Sequence, residues 1–360
     1  MAKSLLFIPD ISGFTEFVQT TEVEHSQHVI AELLEVLISA NTQDLQLAEV
    51  EGDALFFYKE EELTSQERLL AQMDAMFTAF YGHLKLLEKN RICPCNACAT
   101  AHKLDLKIVA HSGELQFIHV QGNRKPFGQQ VIEAHRLLKN SIDSDNYALI
   151  SKELAKDIGL PIYYYSKAYR FKEGEDTYDG RKVEYIYSFI DSEKLNLSSF
   201  TQAKKVTLDS PPKIEMERKF PISAAGLLEF LTNYKYRHYW TEGVDEFKYN
   251  ENEVTRLGSE HVCVINGKQL DFVAVTKDVE PGKLVYGELT GSAPLIKEVY
   301  QFYNITPLSG NECMLKVEVY WNANSWFKEL VYTLVISKIF KKNTLKAVNG
   351  LYKFVSEKNN

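Results

Sequence analysis

Two aspartates stand where a chain can do chemistry. Leu5 to Ile8 is an apolar run that closes on Pro9-Asp10 and a polar turn, Ser12-Gly13, before Phe14. A buried strand ending this way delivers a carboxylate to a surface and hands the chain to a helix. Gly52-Asp53 lies between the apolar runs Leu45 to Val50 and Ala54 to Tyr58. That pattern reads as a tight hairpin with Asp53 at or beside its turn. If the hairpin pairs with the first strand, Asp10 and Asp53 end close together. Two such carboxylates form a hard-oxygen site suited to Mg²⁺ or Mn²⁺. Each also has a plainer role open to it, Asp10 as a cap and Asp53 as a turn residue.

A second group is soft. Cys93-Pro94-Cys95-Asn96-Ala97-Cys98, with His102 beyond it, gathers three thiols and an imidazole within ten residues. Such a set suits tetrahedral Zn²⁺. The Cys-x-Cys spacing departs from ordinary zinc fingers, and no distant Cys-x-x-Cys completes it. A solvent-facing loop of reduced thiols, prone to oxidation, is the other reading. Iron–sulfur ligation usually needs four cysteines. Cys263 and Cys313 fall in apolar strands and read as core.

The elements that must position these residues follow from periodicity. His25 to Asn41 has helical spacing, with Val29, Ile30, Leu33, Leu34, Leu37 and Ile38 as its stripe. Thr64 to Lys89 is a longer amphipathic pattern, with Thr64 and Glu67 as a capping box. Strands are expected at Leu104 to His111 and Glu114 to Val120, joined by Ser112-Gly113. A polar loop with Gly122, Asn123 and Pro126 leads to a helix from Gln129 to Ser141. Tyr163 to Phe171 and Val183 to Ile190 read as strands around a polar loop, Lys172 to Gly180. The outline β-α-β-β-α-β-β-α is that of a ferredoxin-like palm.

The motif residues resemble the class III nucleotidyl cyclases, the adenylate and guanylate cyclase family. Phe7-Ile8-Pro9-Asp10-Ile11-Ser12-Gly13-Phe14-Thr15 resembles the family's Phe-x-Asp-Ile-x-Gly-Phe-Thr, and Gly52-Asp53 its second metal-binding aspartate. Leu106 to Gly113 resembles its central strand ending in His-x-Gly. Gly128 to Leu137 is similar to its Gly-x-x-Val-Asn-x-Ala-x-Arg-Leu helix. The four matches occur in the family's order over roughly the first half of the chain.

The resemblance implies a nucleoside triphosphate, ATP or GTP, bound with Mg²⁺ or Mn²⁺, and a 3′-hydroxyl attack on the α-phosphate. It places Asp10, Asp53 and the backbone carbonyl of Ile11 on the metals. Arg136 is placed against transition-state charge, where an exposed helix arginine is the plainer reading. Glu49 and Lys125 fall at the base-reading positions. Glu49 matches the glutamate of guanylate cyclases, or is an ordinary strand residue. Lys125 fits neither subclass. Arg181 or Lys182 takes the place of the triphosphate lysine. A homodimer is implied, with the aspartates of one subunit facing the arginine of the other. Ile132 departs from the pattern, because the family has an asparagine there. Losing one oriented donor costs about 2.7–4 kcal/mol of transition-state stabilisation, or about 10²–10³ in rate. Slow turnover is therefore one expectation, and a degenerate domain that only senses nucleotide is the other.

The second half changes character. Asp191 to Pro212 is rich in Ser, Lys and Thr and reads as a linker. This divides the chain into a cyclase-like domain over 1–190, a linker over 191–212 and a second domain over 213–358. The second begins with a strand, Lys213 to Phe220, and a helix, Ala224 to Leu231. Strands are then expected at Phe247 to Asn250, Val254 to Leu257, Glu260 to Asn266, Gln269 to Asp278, Lys283 to Thr290, Lys297 to Pro307 and Cys313 to Trp321. A long helix, Trp326 to Val355, closes it. The order resembles the START-like helix-grip fold, so the fold class is α+β throughout. That resemblance implies a small apolar ligand, with Arg237, His238, Glu260, His261 and Glu288 as candidate polar contacts. The many aromatic residues there equally suit a plain core.

Composition bounds these readings. The chain has 360 residues, enough for two cores, with 45% hydrophobic and 25% charged residues. A net charge of -8 excludes a large nucleic-acid footprint. No apolar stretch is long enough to span a bilayer, and no signal-peptide core opens the chain. Five cysteines, three of them clustered, make a poor disulfide framework and suit a reducing cytoplasm.

Overall fold

The computed structural model describes residues 2–197, 205–251, 253–265, 267–291, 298–322 and 337–358. The chain forms two compact units. The first comprises Met1–Leu86 and Thr100–Phe200, and the second Leu87–Ala99 and Thr201–Asn360.

The first unit is built on β1 (Ser4–Ser12), whose residues are all buried except the partly buried Asp10. The chain then runs through α1 (Phe14–Thr20), α2 (Val23–Ser39), β2 (Gln46–Glu51), β3 (Ala54–Lys59) and α3 (Gln66–Lys89), while residues 87–99, with most of α4 (Asn96–Thr100), belong to the second unit. It continues with β4 (Asp105–Gly113), β5 (Gln116–Val120), β6 (Asn123–Phe127), α5 (Gln129–Leu137), β7 (Tyr147–Ser151), α6 (Lys152–Asp157), β8 (Lys172–Tyr178) and β9 (Arg181–Phe189). The sheet order is β2-β3-β1-β4-β7-β9-β8. Its first four strands, all antiparallel neighbours, have the ferredoxin-like arrangement. Strand β7 joins β4 in parallel.

Alternation sorts the side chains. Leu6 and Ile8 of β1 lie on one face with Ala54 and Phe56 of β3, under Ala134 of α5. Asp10 is next in that same series. Val109 of β4 packs with Leu137 of α5 and Leu149 of β7. Helix α5 thus covers the middle of this face, and the acidic end of β1 comes just past it.

Several expectations are corrected here. Ser65, not Thr64, caps α3: its Oγ accepts from Arg68 N at 3.4 Å, while Thr64 Oγ1 is buried without a partner. Strand β4 continues through Ser112-Gly113, so the expected turn there is absent. The expected polar loop at 122–126 is strand β6, which pairs with β5 as a separate two-stranded ribbon. Helix α5 stops at Leu137, not Ser141. Strand β7 escaped the sequence reading because Tyr147–Ser151 is only five residues and buried throughout, without alternation. The expected strand at 163–171 is irregular, with one bridge between Tyr165 and Arg170, and the expected polar loop is strand β8. Its polar composition suits an edge strand, because β8 is the last in the sheet.

The second unit is one antiparallel sheet with helices. Its elements are β10 (Ile214–Phe220), α7 (Ala224–Thr232), α8 (Arg237–Trp240), β11 (Glu246–Tyr249), β12 (Glu260–Ile265), β13 (Lys268–Val275), β14 (Leu284–Thr290), β15 (Glu298–Ser309), β16 (Glu312–Asn322) and α9 (Ser337–Lys358). The order is β10-β16-β15-β14-β13-β12-β11. Ser223 caps α7, accepting from Gly226 N at 3.1 Å. One core joins Phe220, Leu227 and Leu231 to Tyr286, Tyr303 and Leu315 of the sheet and to Val348 and Leu351 of α9. The expected strand at 254–257 is irregular. Residues 198–204 of the expected linker, Asn266, Lys297 and the stretch 326–336 of the expected helix lie outside the described residues. Among the described residues no helix is long and apolar enough to cross a membrane.

Candidate nucleotide and metal site

Asp10 and Asp53 are brought to one end of the first sheet by strand register. Asp10 stands opposite Ala54, the residue after Asp53, and Ile11 N donates to the Asp53 carbonyl at 3.1 Å. The β2–β3 turn permits this because Gly52 takes a positive φ of 70°. On the other side, Asp10 stands opposite Lys107 of β4, whose Nζ lies 3.0 Å from Asp10 Oδ2.

Electrostatics reports the same proximity. Burial pushes the Asp10 carboxyl above its usual range, against the pull of Lys107. Asp53 is also raised, first by burial and then by the charge of Asp10. Burial pulls Lys107 down, but the charge and hydrogen bond of Asp10 outweigh it and the ammonium is held above its usual value. Burial is thus the main cost to both carboxylates, and the attraction of Lys107 does not offset it. Such a donor set fits a divalent cation, which takes oxygen ligands and offsets both charges.

Two further side chains join this end, and sequence reasoning missed both. His135 Nε2 is 2.9 Å from Glu51 Oε1, two residues before Asp53, and its ring stands edge-on to Phe56 at 5.3 Å. Lys107 is the lone cation inside the apolar run Leu106 to Ala110, which was the available clue. Burying a charge without a partner is costly, so such a lysine implies an acid across the sheet.

The remaining candidates lie around α5. Arg136, beside His135, pairs with Asp179 in the β8–β9 turn. Arg181 and Lys182 begin β9 just after that turn, and Lys182 pairs with Glu175 at 2.6 Å. Glu49 and Lys125 are joined to each other at 2.9 Å, linking β2 to the ribbon. Ile132 is half exposed on α5. Ile11 is buried in β1. The histidine of the His-x-Gly match is structural: His111 is buried between Ser151 Oγ at 2.8 Å and Gln130 Oε1 at 2.7 Å. Gly113 allows this approach of α5, since a Cβ there would meet Gln130 at 2.4 Å.

The cysteines form a separate group in the second unit. The sulfurs of Cys93, Cys95 and Cys98 lie within 4.8 Å of one another. Cys95 N donates to Cys93 Sγ, and Cys98 N to Cys95 Sγ, each at 3.4 Å. Hydrogen bonds to Cys93 and Cys95, with burial, hold the Cys98 thiol protonated far above its usual range. Three converging sulfurs can bind a metal ion, whose charge would replace those protons. The segment is anchored within its own unit: Ile92 packs against the core, and Asn90 O accepts from Leu257 N at 2.8 Å. His102 lies in the short helical turn Ala101–Lys103.

Comparison with known proteins places these residues in context. A family model described as "Protein of unknown function (DUF2652)" matches residues 30–147. The "Uncharacterized protein Rv2561/Rv2562" of Mycobacterium tuberculosis is 32% identical over 127 residues, 35% of this chain. The chain spans 59% of the length of that curated relative. Among solved structures, the norcoclaurine synthase of Thalictrum flavum gives a TM-score of 0.33 at 11% identity, over 41% of this chain and 95% of that one. The adenylyl cyclase CyaB from P. aeruginosa gives 0.38 at 19% identity, over 52% of this chain and 94% of that one. The guanylyl cyclase domain of the RhoGC fusion protein from Blastocladiella emersonii gives 0.38 at 12% identity, over 53% and 97%.

Proposed function

We propose that the first unit binds a nucleoside triphosphate, ATP or GTP, with Mg²⁺ or Mn²⁺, and converts it slowly to a 3′,5′-cyclic nucleotide. The observation that carries this is the register of β1 with β3, which sets the Asp10 and Asp53 carboxyls at one sheet end. In this reading Asp10, Asp53 and the Ile11 carbonyl hold the metal, which supplies charge to the phosphates and lowers the pKa of the attacking hydroxyl. Arg136 and Lys182 exchange their present carboxylate partners for phosphate oxygens, or Arg181 takes the place of Lys182. Glu49 accepts from the base, with Lys125 beside it.

A homodimer completes the site. Leu47, Val50, Ile118, Val120, Phe127 and Ile132, from β2, the ribbon and α5, are exposed apolar side chains. Exposed apolar surface of this kind suits a second copy of the chain. A sensor without turnover is the second reading, favoured by the aliphatic side chain of Ile132. The second unit is read as a START-like helix-grip domain for a small apolar ligand. Zn²⁺ is the ion that suits Cys93, Cys95 and Cys98. Reduced thiols in that loop suit a cytoplasmic location.

Incubation with Mn²⁺ and each of ATP and GTP tests the main reading. Cyclic product from the wild type but not from Asp53→Ala supports the enzyme. Metal-dependent binding without product supports the sensor, and no nucleotide binding overturns both. Elemental analysis tests zinc: about one ion per chain is expected, lost in Cys95→Ser.

A further inference from the structure

The second unit buries an ion pair in its core. Arg237 of α8 and Glu288 of β14 are 6% and 5% exposed and bonded to each other. Tyr286 donates to Glu288 Oε1 at 2.9 Å, and the Tyr286 and Tyr234 hydroxyls are 3.0 Å apart. His261 of β12, 2% exposed, lies with Nε2 3.7 Å from the same Oε1. Apolar residues of matching volume would stabilise such a core as well or better. The cluster therefore asks for a role other than stability.

Two of its nitrogens are unsatisfied. Arg237 Nε and His261 Nδ1 are buried without a hydrogen-bond partner. Buried polar atoms left this way call for a partner, which an ordered water or a ligand atom can supply. Their chemistry is specific. Burial, with the neighbouring Arg237 charge, pushes the His261 pKa down to about 2, so the ring is neutral. With Nε2 nearest the Glu288 carboxylate, the proton belongs on Nε2 and Nδ1 is an acceptor. Arg237 Nε–H is a donor. A donor and an acceptor together match a hydroxyl group, which supplies one of each. Because Glu288 already neutralises Arg237, an anionic ligand would bring an uncompensated charge into the core. The surroundings are aromatic: Phe272 stacks on His261 at 5.0 Å, and Trp240 lies under the Arg237 guanidinium at 4.6 Å.

We propose that Arg237, Glu288 and His261 form the polar centre of a binding site in the second unit for a neutral aromatic molecule that carries a hydroxyl. The proposal rests on the reading of that unit as a ligand-binding domain.

Titration calorimetry of the full chain with 2-naphthol, naphthalene and naphthalene-2-sulfonate tests it. The expected result is one saturable site for 2-naphthol, with naphthalene about 10- to 100-fold weaker for want of the hydroxyl, and no binding of the sulfonate. The paired change Arg237→Met with Glu288→Leu keeps volume and removes both charges, so the fold is retained while the preference for 2-naphthol over naphthalene disappears. His261→Phe, which leaves the ion pair in place, is expected to reduce the same preference. Equal binding of naphthol and naphthalene by the wild type overturns the polar recognition but leaves an apolar ligand site. Unchanged preference in both variants also overturns it. Binding of none of the three probes overturns the ligand-domain reading as well, and leaves ordered water on the two nitrogens.

Discussion

Lys107 and Asp10 are bonded across the β1–β4 pairing, Nζ to Oδ2 at 3.0 Å, from directly opposed positions in the register. The chain thus carries its own cation beside a carboxylate that is read here as a metal ligand.

That arrangement sets metal affinity. Unit charges about 4 Å apart interact by about 4 kcal/mol near a protein surface, so an ammonium beside the site opposes a second cation. Lys107→Met is expected to tighten Mn²⁺ binding by about tenfold or more, read from free Mn²⁺ by electron paramagnetic resonance. Unchanged or weaker binding would place the metal away from Asp10.

The acidic pair also gives stability a sign with pH. The Asp53 carboxyl is raised in the folded state, so the fold binds protons that the unfolded chain has released. Its contribution is neutral below the unfolded value and becomes a cost as pH rises through the folded one. Asp53→Asn removes that cost. In metal-free buffer it is expected to gain a few tenths to about 1 kcal/mol at pH 7, by urea denaturation, and nothing at pH 3. A gain that persists at pH 3 would point to the amide's hydrogen bonding instead.

Ile132 tests how far turnover is limited by one missing donor. The side chain is half exposed, so Ile132→Asn leaves stability within about 0.5 kcal/mol. If the cyclase reading holds, cyclic nucleotide formation rises by up to about 10²–10³. A rate that stays flat would remove Ile132 as the limiting departure.

Helix α9 depends on one glycine. A Cβ on Gly350 would lie 2.4 Å from the Trp240 carbonyl oxygen of α8, and backbone cannot step aside as a side chain can. Gly350→Ala is expected to destabilise the second unit by about 1–3 kcal/mol, despite the better helix propensity of alanine. Thermal unfolding of the variant beside the wild type measures it.

Local sequence determined a good part of this protein. The apolar run ending at Asp10, the glycine turn before Asp53 and the stripe of α2 are each set by a few neighbouring side chains, and each stands where periodicity put it. Cys93, Cys95 and Cys98 are close in space because they are close in sequence. What only the tertiary structure decided is which distant residues meet. The partnership of Asp10 with Lys107, of Glu51 with His135, and of Arg237 with Glu288 follows from strand register and helix docking, which no local pattern encodes. The same holds for charge: a carboxyl is raised or a histidine kept neutral by how many atoms of other elements exclude water from it. Short buried strands such as β7 and polar edge strands such as β8 were hidden for the related reason that their neighbours, not their own alternation, make them strands.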